Sequence, residues 1–432
     1  MPRLLLVLGS RGAPVDGLLR SLAPVGEVVV LTSCDVLAER VDGLSSAVTA
    51  VVAPNRPAMV SAALAHDLVR TVDGVVSVTE DTIEIAAVLS ERLGRPGQPT
   101  ATMPALRDKL RQRDALRAAG VPVPAYARLR SPADAVDALA QVPLPAVLKP
   151  CRGSGGALVR RIEPGTDVAA VVAETLALRS GARGAVDPHT ELILESVLVG
   201  AARDTEGLAP YVSVETLADA GRFHHLCVSD RFPLAPPLLE TGMMLPSCLG
   251  AEQQAAVVAM AEQALRALDF RHGAAHTELM LTSEGPRVIE VNARVGGAVP
   301  FLLPIAAQYD VVTQIGRLAV GLPPELPTFS GRFAVFVAPQ HRVGQTVESV
   351  AGLAEARTIP GVRAVIPVAT QPGTDTTADQ NTMIAAILAD AGRPAEAVKI
   401  HRLIHRAVQP RYRAEQEREQ VSKSPAWASG IT

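Results

Sequence analysis

The stretch Val288–Gly297, VIEVNARVGG, decides how the rest of the chain is interpreted. It has the valine and isoleucine content of a β-strand, but Glu290, Asn292 and Arg294 occupy alternate positions. Because side chains two residues apart on a strand point to the same face, one face presents a carboxylate, an amide and a guanidinium in a row. The opposite face is apolar.

A second strand with the same polar spacing, HTELML at residues 276–281, precedes this one and is followed by the turn-forming sequence TSEGP. A hairpin centred on Glu284 predicts these pairs: His276 with Asn292, Glu278 with Glu290, Leu279 with Ile289 and Leu281 with Arg287. Facing carboxylates repel each other, which favours a bound cation, and Glu278, Glu290 and Asn292 offer the oxygen ligands that suit Mg²⁺. The alternative is an exposed hairpin with solvated acids. His276 is interpreted as a structural hydrogen-bonding residue.

The composition argues against a nucleic-acid or membrane partner. The 432 residues suffice for two or three domains, and 48% of them are hydrophobic, which is enough for a large core. The net charge is −3 and no basic run stands out, which disfavours nucleic-acid binding. The apolar runs are too short for a membrane span or a signal peptide. Four scattered cysteines without a CxxC pair predict a reduced, cytoplasmic protein without a zinc site.

Short apolar runs alternate with amphipathic helical patterns through the first hundred residues, which predicts a doubly wound parallel sheet. GSRG at positions 9–12 is interpreted as a strand-to-helix turn and not as a dinucleotide site. ALRDKLRQRDALRAAG, residues 105–120, is predicted as one helix that ends at Gly120. The predicted units are an N-terminal α/β domain at 1–100, a central domain at 105–321 with a lid at about 121–200, a small C-terminal α/β unit at 325–410 and a flexible tail at 411–432.

A glycine-rich connection lies between two predicted strands in LPAVLKPCRGSGGALVRRI, residues 144–162. Glycines allow backbone N–H groups to approach phosphate oxygens, and Lys149 precedes the loop as a possible phosphate contact. A plain glycine hairpin is the alternative. Lysine is rare in this arginine-rich chain, and the 41 basic residues include only Lys109, Lys149, Lys399 and Lys423. Each of them is either required as a lysine or retained by chance.

A third segment, ELILESVLVG at residues 191–200, is predicted as a strand followed by a connector. Backbone groups of such a connector commonly hold an adenine ring, although a plain core strand is the alternative.

These segments, in this order and at these separations, resemble the ATP-grasp superfamily over roughly residues 100–320, most closely its L-amino-acid ligase (dipeptide synthetase) branch. The resemblance implies an α/β fold that is α+β in its central part, with a two-lobed ATP-binding region between the N-terminal sheet domain and the small C-terminal unit. ATP and Mg²⁺ are the implied cofactors, with Mn²⁺ as a possible substitute.

The resemblance also implies roles for individual residues of this chain. ATP contacts are expected from Lys109, Lys149, the loop residues Gly153, Ser154, Gly155 and Gly156, and the hinge residues Glu195, Ser196, Val197 and Leu198. Glu278, Glu290 and Asn292 match the metal ligands, and Arg294 and Lys149 match the catalytic cations. The substrate-binding residues implied are Glu240, Arg294, Gly296, Gly297 and Ala298.

The substrate segment SDRFPLAPPLLETGMMLP, residues 229–246, differs from the branch at Met243, where some members have histidine. Glu240 fits the acid that pairs with an α-ammonium group, and Ala298 is smaller than its counterpart in some relatives, which leaves room for a larger acyl substrate. The ribose contact stays open, with Glu206 as one choice.

The predicted function is ATP-dependent amide or peptide bond formation through an acyl phosphate. The substrates are two amino acids, or an amino acid and another small acid or amine. The alternatives are a biotin-carboxylase-like or other ATP-grasp ligase with non-amino-acid substrates, and a non-catalytic ATP-binding regulatory module. Small-molecule substrates are the expected partners, and the resemblance suggests a homodimer and a role in natural-product biosynthesis.

Overall fold

The computed structural model describes residues 1–9, 14–44, 48–179, 186–376 and 382–413. The greater part of the predicted GSRG turn and of the predicted tail falls outside these ranges. Within them, no helix combines the length and the apolar character needed to cross a lipid bilayer.

The N-terminal unit is a parallel sheet with the strand order β3-β2-β1-β4, as the sequence predicts. Its elements are β1 (Arg3–Leu8), α1 (Val15–Leu22), β2 (Glu27–Thr32), α2 (Asp35–Leu44), β3 (Thr49–Val52), α3 (Met59–Ala65), α4 (Asp67–Arg70), β4 (Gly74–Val76) and α5 (Ile83–Leu93). Strand β1 is buried on both faces, because Leu4 and Leu6 pack into one core cluster while Leu5 and Val7 pack into another.

The helix predicted as continuous from residue 105 to residue 120 is broken in two. A 3₁₀ turn at Thr100–Thr102 leads into α6 (Met103–Arg107), and α7 (Lys109–Ala118) follows. Asp108 between them has extended backbone angles, and its carboxylate accepts hydrogen bonds from the Leu110 and Arg111 N–H groups at 3.0 and 3.2 Å. The sequence-based prediction was wrong here because an aspartate N-cap competes with helix continuation. The break makes Lys109 the first residue of α7.

The segment that follows forms a four-stranded antiparallel sheet of order β5-β8-β6-β7. Its elements are β5 (Tyr126–Leu129), a 3₁₀ turn (Pro132–Asp134), α8 (Ala135–Gln141), β6 (Ala146–Pro150), β7 (Arg160–Ile162), α9 (Val168–Leu178) and β8 (Leu192–Ser196). The sequence predicts a strand over ALVRRI, residues 157–162, but β7 begins only at Arg160. Ala157 and Leu158 belong to the turn instead, and Leu158 has a φ of +57°. The glycine loop therefore extends from β6 almost to Arg160.

The central sheet has eight strands in the order β13-β12-β9-β10-β11-β14-β18-β16. These strands are β9 (Tyr211–Asp219), β10 (Arg222–Arg231), β11 (Gly242–Leu245), β12 (Gly273–Thr282), β13 (Gly285–Asn292), β14 (Phe333–Val337), β16 (Val362–Pro367) and β18 (Ala385–Ala391). The helices are α10 (Ala251–Ala267), α11 (Val299–Ala307), α12 (Val311–Ala319), α13 (Leu353–Thr358) and α14 (Pro394–Ala407). Strands β15 (Gln345–Ala351), β17 (Asp375–Thr376) and β19 (Gln409–Tyr412) form a small sheet.

The central sheet passes through the predicted border at residues 321–325. Strands β14, β18 and β16 lie beyond that border and continue the hydrogen-bonded order from β11. The predicted division into domains stays a prediction.

The β12–β13 hairpin has the predicted register at its polar end and a different one near its turn. Glu278 faces Glu290 and His276 faces Asn292, as predicted. Leu279 instead faces Val288 and Leu281 faces Pro286, so the two pairs predicted nearer the turn were wrong. The tight turn pairs Thr282 with Gly285, and Ile289 is the extra residue that restores the register of the acids.

Candidate active site

Glu278 and Glu290 lie directly opposite each other on β12 and β13, at one edge of the central sheet. Each carboxylate contacts its own basic group, which relieves their repulsion. Lys109 Nζ lies 2.8 Å from Glu290 Oε1, and His276 Nε2 lies 3.2 Å from Glu278 Oε1. Burial opposes the charge on Lys109, but Glu290 raises the pKa of this lysine overall.

A buried pair behind the acids, His276 and Glu215, holds the turn at residues 295–297 in place. Glu215, 1% exposed, accepts hydrogen bonds from His276 Nδ1 and, at 3.0 Å, from the Gly296 N–H group. Burial disfavours the imidazolium, but Glu215 and Glu278 outweigh it and raise the pKa of His276 to about 9. A Cβ at Gly296 would lie 2.7 Å from His276 Nδ1, whereas one at Gly297 would meet no atom within 4 Å. Gly296 therefore has a packing reason to be glycine.

Lys149 and Glu195 form a buried ion pair, with Nζ 2.7 Å from Oε2. Arg113 on α7 lies on the other side of the same carboxylate, with Nε 2.8 Å from Oε1. Burial favours protonation of Glu195, but the two cations outweigh it and lower its pKa to about 2. The Arg113 guanidinium also donates to the Val288 and Ile289 carbonyl oxygens, at 3.3 and 2.5 Å. The Glu195 side chain is therefore already engaged by these two cations.

Sequence reasoning missed Arg113. The available signal was its spacing, four residues after Lys109 on one helix, which places both side chains on the same helix face.

The backbone N–H groups of the predicted hinge differ in their hydrogen bonding. The Ser196 N–H donates to the Ala125 carbonyl at 2.9 Å, and the Val197 N–H donates to the Pro145 carbonyl at 3.1 Å. Across the described ranges, the Leu198 N–H has no hydrogen-bond acceptor. It is the hinge donor that an adenine ring could use.

The glycine loop contacts the start of α7. Gly155 and Gly156 have φ values of +65° and +70°, which glycine adopts without strain. Lys109 Nζ donates to the Gly153 carbonyl at 3.0 Å, and the Lys109 N–H donates to the Cys151 carbonyl at 2.9 Å. Burial raises the pKa of the Cys151 thiol to about 12, which leaves it a poor nucleophile. Lys109 thus connects the loop to the acidic hairpin.

Arg294 contacts Glu80, an acid of the N-terminal unit that sequence reasoning missed. Its Nε lies 3.2 Å from Glu80 Oε2, and Glu80 Oε1 pairs with Arg107 Nη1 at 2.7 Å. Glu80 lies shortly after β4, where polar residues at the carboxyl end of a parallel strand commonly reach a ligand crevice. That position was the signal available in the sequence.

Glu240, predicted as the substrate acid, is paired with a buried arginine that sequence reasoning did not single out. Arg231 is 3% exposed, and its Nη1 lies 2.6 Å from Glu240 Oε1, whose side chain is 54% exposed. Arg231 Nη2 lies 3.0 Å from His276 Nε2 and 3.7 Å from Glu278 Oε1. Burial opposes the charge of Arg231, but Glu240 and Glu278 raise its pKa further.

The C-terminal unit supports the Glu240 segment. Gln340 Nε2 donates to the Glu240 carbonyl at 2.7 Å. Met243 is buried and faces Arg231 across the β10–β11 pair, and Ala298 is buried in the same apolar cluster as Met243. Glu206, one choice for the ribose contact, is exposed and pairs with Arg402 of α14 at 3.0 Å.

The predicted metal ligands fit a hard divalent cation by their chemistry. Glu278, Glu290 and Asn292 lie on adjacent strands in matching positions and offer carboxylate and amide oxygens. The described part of the chain contains no group of three or more His, Cys, Asp or Glu side chains arranged to hold a metal ion. The predicted site does not meet that criterion, because Glu278 and Glu290 are its only acids and Asn292 contributes an amide. Water and phosphate oxygens commonly complete a Mg²⁺ shell.

Comparisons with known proteins agree with the fold. Residues 142–300 match the ATP-grasp domain family. Carnosine synthase 1 of Gallus gallus is 36% identical over 273 residues, 59% of this chain and 28% of that protein. Alanine–anticapsin ligase of Bacillus subtilis (strain 168) is 29% identical over 232 residues, 52% of this chain and 49% of that protein. The crystal structure of L-amino acid ligase from Bacillus licheniformis has a TM-score of 0.79 at 22% identity, over 96% of this chain and 99% of that one.

Residues 142–300 carry the ATP-grasp domain, and the α/β fold of the chain is that of the L-amino acid ligase structure. The chain spans less than two thirds of the length of these two curated relatives.

Proposed function

We propose that this ATP-grasp chain is an ATP-dependent carboxylate–amine ligase that joins two amino acids, or an amino acid and another small acid or amine. The observation that carries the proposal is the pair Glu278–Glu290, in register across the hairpin and contacted by His276 and Lys109. Facing acids at one sheet edge fit a site for a metal–nucleotide complex. The names of the two curated relatives, a carnosine synthase and an alanine–anticapsin ligase, support amino-acid substrates.

Glu278, Glu290 and Asn292 are the residues that would hold Mg²⁺. Bound there, Mg²⁺ or the substitute Mn²⁺ supplies neutralising charge at the phosphates of ATP. Lys109 is adjacent to Glu290 and is suited to follow a phosphate oxygen as a compact charge on a flexible stem. Lys149, held by Glu195, supplies a second cation for the phosphates.

The chemistry proceeds in two steps on the substrates. A substrate carboxylate oxygen attacks the γ-phosphorus, the bond to the β–γ bridging oxygen breaks, and an acyl phosphate and ADP form. The amine nitrogen then attacks the acyl carbon, phosphate leaves, and the nitrogen loses a proton as the amide forms. Arg294 stabilises the negative charge on the transferring group, and the loop Gly153–Gly156 excludes water from the acyl phosphate.

Glu240 is the residue we assign to the substrate ammonium group. Its side chain is half exposed, and Arg231 contacts only one of its carboxylate oxygens. The second oxygen is therefore available to an ammonium donor. Gly296, Gly297 and Ala298 line the turn beside Arg294 and add little side-chain bulk where the acyl group is proposed to lie.

A screen of amino-acid pairs tests the proposal. Purified protein is incubated with ATP, Mg²⁺ and each pair, and phosphate release and product mass are measured together. The ligase predicts phosphate release that depends on a specific pair and a product whose mass equals the sum of the two amino acids minus water. Turnover that depends on bicarbonate would favour the carboxylase alternative, and ATP binding without turnover for any pair would favour the regulatory module. A homodimer stays a prediction, which light scattering would test.

A further inference from the structure

Arg231, the last residue of β10, lies between two acids with different proposed roles. Its side chain is 3% exposed, and its two terminal nitrogens face Glu240 at 2.6 Å and Glu278 at 3.7 Å. One buried guanidinium therefore contacts the acid assigned to the substrate ammonium and approaches an acid assigned to the metal. We propose that Arg231 is a positioning residue that couples occupancy of the Glu240 site to metal–nucleotide binding at Glu278. This inference rests on the proposed function, because it uses the roles assigned there to both acids.

The surroundings of Arg231 leave its side chain few alternative positions. Nη2 donates to Ser213 Oγ at 3.3 Å and lies 3.0 Å from His276 Nε2, which is itself 3.2 Å from Glu278 Oε1. Cζ lies 5.7 Å from the centre of the Tyr211 ring. The buried Nε has no hydrogen-bond partner within the described ranges. A buried cation that loses one carboxylate must find another, because an unpaired buried charge is costly. The nearest other acid for Arg231 is Glu278.

The two distances give the coupling its sign. The guanidinium is held by Glu240, which draws its charge away from Glu278. If Glu240 is neutralised, by substitution or by a bound ammonium group, the guanidinium moves towards Glu278 and competes with Mg²⁺ for that carboxylate. Neutralising Glu240 therefore weakens Mg²⁺ binding. By reciprocity, a cation bound at Glu278 strengthens the hold of Arg231 on Glu240.

The Mg²⁺ dependence of ADP binding tests this coupling without turnover and without knowledge of the amino substrate. ADP binding to the full chain is measured by calorimetry over a series of Mg²⁺ concentrations. Glu240→Gln is expected to raise the Mg²⁺ concentration for half-maximal ADP binding about fivefold, with ADP affinity at saturating Mg²⁺ unchanged. A general loss of structure would instead lower ADP affinity at every Mg²⁺ concentration.

A double-mutant cycle assigns the effect to Arg231. In an Arg231→Gln background, Glu240→Gln is expected to leave the Mg²⁺ dependence unchanged, because no guanidinium is left to move. Arg231→Met, an apolar side chain of comparable length, replaces the glutamine variant if that variant does not fold. The matched control is Glu262→Gln, since Glu262 is also partly exposed and pairs with an arginine, Arg266, at 2.5 Å. This control is expected to behave as wild type.

Three other outcomes would overturn the coupling, the role of Arg231 or the proposed function. If the wild-type chain binds ADP with Mg²⁺ and Glu240→Gln leaves the Mg²⁺ dependence unchanged, the coupling is overturned and the ligase proposal stands. A Glu240→Gln effect that persists without Arg231 overturns the role given to this residue. Failure of the wild-type chain to bind ADP with Mg²⁺ overturns the proposed function together with the coupling.

Discussion

Lys109 Nζ lies 2.8 Å from Glu290 Oε1, so the first residue of α7 neutralises one of two facing acids on the β12–β13 hairpin. The same ammonium group donates to the Gly153 carbonyl of the glycine loop. One lysine therefore connects three segments that are far apart in sequence. Its position depends on Asp108, which ends α6 and begins α7.

Lys109→Met should lower kcat/KM for ATP about 100-fold, because the substitution removes a cation from the proposed phosphate site. It also leaves Glu290, which faces Glu278, without the ammonium group that neutralises it. Phosphate release at varied ATP concentration measures the effect. Lys399→Met is the matched control, since Lys399 is exposed on α14, and it should stay within about twofold of wild type. An unchanged kcat/KM in the Lys109 variant would remove this lysine from the site.

Glu290→Gln should reduce ADP formation at least about 100-fold, because an amide is a weaker metal ligand than a carboxylate. The melting temperature should change little, since the loss of the Lys109–Glu290 ion pair is offset by removal of the repulsion from Glu278. Glu284→Gln at the exposed hairpin turn is the control and should retain full turnover. Normal turnover in the Glu290 variant would contradict the metal assignment.

Stability should depend on pH through Glu195. Its pKa is about 2 in the folded chain, below the ordinary value of 4.5. The stabilising contribution is therefore fully present above about pH 4.5 and is lost as the pH falls towards 2. Urea unfolding at a series of pH values should show this loss in the wild-type chain.

Glu195→Gln should show a weaker dependence on pH over the same range. It should also be less stable at pH 7 by about 3 kcal/mol, because Lys149 and Arg113 are left buried without their carboxylate. Identical pH profiles for the two proteins would contradict the ion triad.

Gly296→Ala should destabilise the fold by about 1–3 kcal/mol, because the added methyl group would overlap with His276 and Glu215. Gly297→Ala serves as the control for stability, since its methyl group would meet no atom within 4 Å. Thermal unfolding of the pair measures the difference. Equal melting temperatures would show that the turn can relax around the extra carbon.

The sequence by itself determined the pairing at the polar end of the acidic hairpin, where Glu278 faces Glu290 and His276 faces Asn292, since alternation with a period of two places the polar side chains of each strand on one face. It did not determine the pairing nearer the turn, where Ile289 is an extra residue. It also determined the parallel N-terminal sheet, because strands buried on both faces must be apolar throughout. These properties depend on residues that are close in sequence.

Only the tertiary structure decided which cation neutralises which acid. The pairs Lys109–Glu290, Arg113–Glu195, Arg294–Glu80 and Arg231–Glu240 depend on how α7, the two antiparallel sheets and the N-terminal sheet pack. The physical reason is that a charge has no preferred sequence separation from its partner. A buried ion pair needs only two side chains within a few ångströms of each other, and local periodicity carries no information about that distance.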